Sequence, residues 1–242
     1  MSIMNLRNKV FPRDKGIRFL GIREEKITMK NKMLSMAAAI TMAVVILTGC
    51  SAGFNRDFVI EAAKEYGMDD TRALYESAQI SNVDVKAYYI SDSKQADVMR
   101  HMFTHAGLDT EYDIKETILF SEVKANKSGD VTDVNSINQT NTRILYMTAA
   151  DAKTAKELYA VNAEWIMAHE GTSGKQKGVE YAINYTAFTT DDDREAESFY
   201  GVYIKGNTVI WLEAFSNNGP NDDCTKYFCD KLDLVSPLTL RK

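Results

Sequence analysis

From Phe54 onward the apolar positions Phe54, Phe58, Ala62 and Tyr66 recur every fourth residue, with Val59 and Ala63 widening the stripe, and the spacing predicts an amphipathic helix. A second, short helix is read over 71–78. Residues 83–90 are rich in β-branched and aromatic side chains and read as a strand, after which Ser91-Asp92 offers an N-cap for a helix through Ala106. Residues 115–124 alternate weakly as another strand. The tract 126–141, built of Asn, Ser, Thr, Asp and Gly, reads as a long loop or a halfway boundary. Residues 143–147 return to a strand pattern, and Thr148 is read as the cap of a helix to about Ala168, with Asp151 at its N3 position.

Beyond that helix, Gly171-Thr172-Ser173-Gly174 reads as a linker. Val179, Tyr181, Ile183, Tyr185 and Ala187 then alternate with more polar neighbours, the clearest strand signal in the chain. Two further strands, 198–204 and 208–215, flank Lys205-Gly206-Asn207, whose residue types suit a tight hairpin turn. Pro220 and Asn221 open a last helix to about Leu232, and Pro237 is expected to end regular structure. The sum is an α+β fold: an antiparallel-rich sheet with helices packed on one face, for which the β-α-β recurrence suggests a ferredoxin-like arrangement. Asp92-Ser93-Lys94-Gln95-Ala96 and Asp151-Ala152-Lys153-Thr154-Ala155 share a D-x-K-x-A pattern, which a duplication or ordinary helix-start preferences explain equally well.

Ahead of these elements, 33–47 is free of charge and is preceded by Met29-Lys30-Asn31-Lys32. A positive segment followed by an apolar run too short for the ~20 residues that span a bilayer has the layout of a signal peptide. The run closes on Leu47-Thr48-Gly49-Cys50, which resembles the lipobox of bacterial lipoproteins. That resemblance implies cleavage before Cys50, a diacylglyceryl group on its thiol and further fatty acylation such as palmitate, with the chain held on the outer side of a cell membrane. Residues 1–49 are then a leader. Within it, 1–28 precede the true start and 29–49 form the signal peptide, because a mixed-charge segment does not belong ahead of one. Arg23-Glu24-Glu25 can be encoded by purine-rich triplets, as a ribosome-binding site would be. Residues 50–242 are expected to form a single extracytoplasmic α+β domain; in layout they resemble small bacterial lipoproteins with a helix after the lipobox and a final strand hairpin and helix.

Charge sharpens this picture. The whole chain carries −5, but from Cys50 onward 20 Lys plus Arg face 31 Asp plus Glu, a net −11. Such a domain lacks the basic footprint of a nucleic-acid binder and is repelled by anionic headgroups, so its membrane contact is expected to come from lipid on Cys50. Once Cys50 is acylated only Cys224 and Cys229 remain, five apart on a predicted helix, where side chains diverge by about 140°. They read as two buried thiols.

Candidate chemistry is sparse. His101 and His105, four apart on a predicted helix, share one face and could hold zinc, but Met102 stands where an H-E-x-x-H metalloprotease keeps its glutamate base. Asp191-Asp192-Asp193 lacks the glycine and closing glutamate of an EF-hand. Gly171-Thr172-Ser173-Gly174-Lys175 is too short for a phosphate loop. The sequence holds no G-x-S-x-G elbow, and acidic neighbours disfavour Cys224 and Cys229 as nucleophiles. Tyr181, Tyr185, Tyr200, Tyr203 and Trp211 concentrate aromatics on the last three strands, as a carbohydrate- or peptide-binding face does. The expected function is non-catalytic recognition of a small ligand or envelope protein, without a cofactor. The alternatives are a metal-dependent hydrolase using His101 and His105, and an accessory subunit of an envelope complex.

Overall fold

The computed structural model describes residues 53–78, 83–92, 112–125, 139–189, 195–216 and 222–241. The leader with Cys50, the helix expected after Asp92 with His101 and His105, most of the 126–141 tract and Asp191-Asp192-Asp193 lie outside the described residues. The described residues all fall within one compact unit, Ser51–Lys242.

Helix α1 (Arg56–Glu65) starts at Asn55, whose side-chain oxygen accepts the Phe58 N–H at 3.1 Å. Its buried stripe is Val59, Ala62 and Ala63, whereas Phe58 is 43% exposed, so the core-facing side lies one residue round from the expected stripe. Strand β1 (Asp69–Asp70), helix α2 (Arg72–Ala78) and strands β2 (Val85–Asp92), β3 (Ile114–Ala125) and β4 (Gln139–Ala149) follow. Ser91 and Asp92 thus belong to the end of β2. Helix α3 (Ala152–Ala168) is capped by Asp151 itself, which accepts the Thr154 N–H at 2.8 Å, while Thr148 stays in β4.

The expected linker 171–174 is instead part of β5 (Thr172–Gln176), which turns back into β6 (Val179–Thr189). The turn residues Lys177 and Gly178 both have positive φ, 49° and 82°, as a type I′ hairpin turn requires, and the lysine conceals that signal in the sequence. Strands β7 (Glu195–Lys205) and β8 (Thr208–Ser216) form the expected hairpin, with Gly206 at φ 61° in its turn. Helix α4 (Asp223–Lys231) follows, and Pro237 opens a 3₁₀ turn (Pro237–Leu240), since its fixed φ suits a first helical position.

The eight strands form one sheet in the order β1-β2-β3-β4-β8-β7-β6-β5, antiparallel throughout except for the β1–β2 pair. Two meanders, β2-β3-β4 and β5-β6-β7-β8, meet along β4 and β8, in register from Thr140↔Ser216 to Thr148↔Thr208. The structure is α+β, but the ferredoxin-like expectation is not met among the described residues. A split β-α-β places parallel strands inside the sheet, and here the single parallel pair lies at the edge.

Helices cover both faces. Tyr75 of α2 and Ala155, Leu158 and Ile166 of α3 pack on a first face with Leu119, Leu145, Val202 and Trp211. Val59, Ala62 and Ala63 of α1 and Cys224, Phe228 and Cys229 of α4 pack on the second face with Phe120, Ile144, Tyr203 and Leu212. The one-face expectation is therefore corrected. Its physical reason is visible in the central strands, where Ile144-Leu145-Tyr146-Met147 and Val209-Ile210-Trp211-Leu212 are apolar without alternation, as strands buried on both sides must be. Phe228 joins α4 to the sheet, with ring centroids 5.5 Å from Phe120 and 5.9 Å from Tyr66. Replacing this fully buried ring, Phe228→Ala, is expected to destabilise the fold by about 3–5 kcal/mol, read as a lowered midpoint in urea unfolding; an unchanged midpoint would contradict the two-faced core.

Candidate functional site

Strand alternation divides the five aromatics expected to form one binding face. Tyr203, with its cross-strand partner Tyr181, lies on the second face, as does Tyr185 opposite Phe199. Tyr200 and Trp211 lie on the first face. Tyr203 is fully buried and donates its hydroxyl to the Val235 carbonyl at 2.8 Å, and Trp211 is 1% exposed. Those two are core. Tyr181 is half-buried against the second core, and the Tyr185 hydroxyl donates to Glu197 at 3.3 Å. The set is not one surface.

What the sheet does bring together on its first face is a polar row in cross-strand register: Ser121 on β3, Arg143 on β4, Glu213 on β8, Tyr200 on β7 and Asn184 on β6. The row next to it toward the meander centre is Leu119, Leu145, Trp211, Val202 and Ala182, all buried under the helices. On the other side stand Asn141, Phe215, Ser198 and Thr186. Helix α3 ends where the polarity begins: the Asn184 side-chain amide donates to the carbonyl of His169, the residue closing the helix. The face is thus apolar where α3 covers it and polar beyond its C-terminus, where Ser121, Asn184 and Ser198 are buried, Arg143, Glu213 and Tyr200 are half-buried and Phe188 is 41% exposed.

At the centre of this row Arg143 Nη1 and Glu213 Oε1 are 3.2 Å apart, with side chains 30% and 14% exposed. Trp211 Nε1 donates to the other Glu213 oxygen at 3.4 Å, and Arg143 Nε is buried with no partner. Aromatic rings frame the pair. Trp165 stands edge-on to Tyr200 at 5.0 Å, Tyr200 lies 6.1 Å from Trp211, and His169 rests on Trp165 at 4.4 Å. Burial raises the Tyr200 phenol above its ordinary range, with Glu213 adding to it, so the hydroxyl is a donor at physiological pH. Burial likewise raises Tyr75 of α2, opposed in part by Arg143. A guanidinium, a carboxylate and a phenol within one aromatic frame can meet a ligand that has both donors and acceptors and a flat or apolar face. Arg143 and Glu213 carried no motif; their pairing follows from strand register.

Two other polar places differ in character. On the second face Glu122 is fully buried, 3.3 Å from Lys86 Nζ, and accepts the Tyr66 hydroxyl at 3.0 and 3.1 Å, while Lys86 Nζ stands 3.9 Å over the Tyr66 ring. This cluster ties the C-terminal end of α1 to β2 and β3. A shallow open groove of about 460 Å³ runs between α1 and β2, lined by Arg56, Asp57, Ile60, Glu61, Lys64, Asp70, Tyr88 and Ile90, with charges of both signs. No group of three or more His, Cys, Asp or Glu side chains among the described residues can hold a metal ion. Among them no helix is long and apolar enough to cross a membrane.

Cys224 and Cys229 are both free and buried, as expected from their spacing. Burial pushes the Cys229 thiol up to about 12, and burial with Glu122 nearby raises Cys224 well above its ordinary value. Neither is an activated nucleophile.

No protein-family model matches this chain, and no curated protein or solved structure matches it either. Fold and site therefore rest on the geometry above.

Two predictions come from these side chains. Arg143→Leu alone strands the Glu213 carboxylate and is expected to cost about 1–3 kcal/mol, whereas Arg143→Leu with Glu213→Leu is expected to be near neutral or stabilising, since replacing a buried pair with apolar residues often is. Chemical unfolding of the two single variants and the double variant checks this; a double variant as unstable as the worse single one would make the pair a stability device. Because the folded Cys229 and Cys224 values lie above the unfolded thiol's, about 8.5, the folded state keeps protons that the unfolded state has lost. Stability is then full below about 8.5 and falls as pH rises toward about 12. Equilibrium unfolding from pH 7 upward reads this, with Cys229→Ala expected to flatten the alkaline limb.

Proposed function

We propose that this chain is a lipid-anchored, extracytoplasmic, non-catalytic recognition module of the cell envelope, held through acylated Cys50. The observation that carries the recognition reading is the Arg143–Glu213 pair, set in a half-open polar and aromatic row where the helical cover of the first face stops. A charged pair there adds little to stability, because desolvation offsets most of its attraction. It does supply directional contacts for a bound ligand. The candidate surface is therefore Arg143, Glu213 and Tyr200 with Trp165 behind them, in place of the five-residue aromatic set. The ligand class that fits is a peptide or a saccharide carrying amides, hydroxyls or a zwitterionic pair, presented by an envelope component.

The anchor reading is supported by the order of positive segment, apolar run and Leu47-Thr48-Gly49-Cys50, and by the acidity of the residues that follow. An acidic domain needs an acyl anchor to stay at an anionic membrane; two buried acyl chains suffice where one is marginal.

Palmitate labelling of cells expressing the full chain is expected to mark it, and Cys50→Ser to abolish both label and membrane retention; a labelled or membrane-retained Cys50→Ser chain would remove the anchor reading. For recognition, thermal unfolding with panels of short peptides and oligosaccharides is expected to give an upward Tm shift that Arg143→Leu or Tyr200→Phe diminishes. A shift untouched by both variants would place the binding surface elsewhere.

A further inference from the structure

The chain enters the described domain at a fixed point. The Phe54 N–H donates to Thr208 Oγ1 at 2.8 Å, and the Tyr146 hydroxyl donates to the Phe54 carbonyl at 2.9 Å. Phe54 is 8% exposed, with Lys205 Nζ 6.0 Å over its ring. A side chain at Gly53 would meet Thr208 Oγ1 at 2.6 Å, so residue 53 lies hard against the β7–β8 turn. Only three residue steps separate Gly53 from Cys50, and three residues span at most about 11 Å.

That turn has company at the same end of the sheet. The Ala149 N–H donates to the Asn207 carbonyl at 2.9 Å, which places the β4–α3 connection and the first turn of α3 beside it. Glu180 pairs with Ile204 and with Lys175, which brings the β5–β6 turn to the same end. Three exposed lysines among the described residues there are paired with carboxylates: Lys153 lies 3.7 Å from Glu157, Lys175 3.3 Å from Glu180 and Lys177 2.7 Å from Asp233. In a domain of net −11, carboxylates paired with lysines repel anionic headgroups less than unpaired ones do.

We infer that this end, formed by the β7–β8, β4–α3 and β5–β6 turns, rests on the phospholipid headgroup surface, and that the sheet stands off the membrane with the Arg143–Glu213 row on its distal half. The inference rests on acylation of Cys50 and adds what that reading leaves open, the orientation of the domain. Along β8, Glu213 lies five residues from the pinned Thr208, about 17 Å at strand rise. A lipid headgroup therefore does not reach the row, and a partner approaching from the envelope side does.

Helix α3 measures the orientation. Ala152 and Ala168 are exposed residues at its two ends, 16 residues and about 24 Å apart. Its first turn lies at the inferred contact end, and its last reaches Asn184 in the polar row. Ala152→Cys and Ala168→Cys, each in the full acylated chain, are labelled with an environment-sensitive fluorophore. Buried Cys224 and Cys229 do not compete for it. The proteins are reconstituted into vesicles of phosphatidylethanolamine and phosphatidylglycerol containing a headgroup-nitroxide lipid. Strong quenching is expected at Ala152→Cys and its loss at Ala168→Cys. Equal quenching at both, or stronger quenching at Ala168→Cys, overturns the orientation. Intact mass of the same samples separates the two readings: an acylated chain with reversed quenching removes this inference alone, and a chain without acyl groups removes both.

Discussion

The contact between β4 and β8 is the join on which the rest of the structure depends. It pairs two meanders that are each contiguous in sequence but far apart from one another along the chain, and it does so without a break from Thr140 to Thr148. Neither meander buries its own faces. Across the join, Leu145 and Met147 meet Trp211 and Val209 on the first face, and Ile144 and Tyr146 meet Leu212 and Ile210 on the second. Each helix then finds a wide apolar floor. Long-range pairing of this kind carries a large loop-closure cost before its contacts form, so the join is the step that the burial of both faces has to stabilise.

Coverage on both sides has a consequence for recognition. A sheet with one bare face can bind through any aromatic on it, but here the aromatics of β6, β7 and β8 are divided between two covered faces, and Tyr203 and Trp211 are used in the core. Among the described residues of the first face, half-buried polar side chains stand where α3 stops short. Helix α3 is 17 residues long, and its last turn reaches Asn184 while β6, β7 and β8 continue past it. The length of one helix thus decides which residues of the first face are core and which are half-open. Arg143 and Glu213 sit on that boundary, half-buried and 3.2 Å apart.

Much of this was legible in the sequence at the level of elements, and little at the level of neighbours. The Val179–Thr189 strand and the hairpin around Gly206 were plain, because alternation and a glycine turn are local signals. β5 was hidden because Thr172, Ser173 and Gly174 have the composition of a linker and are exposed even in the strand; pairing with Tyr181, Ala182 and Ile183 is what makes them one. The second helical layer is written in the unbroken apolar runs of β4 and β8, which signal burial on both sides as well as a strand. The aromatic set failed for the opposite reason. Residue type carries no parity, and Tyr200 and Tyr203, three apart on one strand, necessarily point to opposite sides. No local pattern announces the Arg143–Glu213 pair, since the two residues are 70 positions apart and become neighbours only through register.

The pinned entry of the chain connects these levels. Phe54 is the first of the described residues with a core contact, and it is bound through its backbone to Thr208 and Tyr146, residues of the two joined strands. Where the chain leaves the sheet is therefore fixed by the same join that fixes the core, not by a flexible stalk. Under the proposed acylation of Cys50, an anchor three residue steps from such a point stays within about 11 Å of it. A ligand surface on an anchored domain is useful only if it is held clear of the lipid, and along a β-strand that clearance is set by counting residues from the pinned end. In the proposed orientation the row lies beyond the reach of headgroups, while the fully buried aromatics nearer the turn need no access at all. The proposed orientation and the exposure of the row then follow from one constraint: which end of the β4–β8 pair receives the chain.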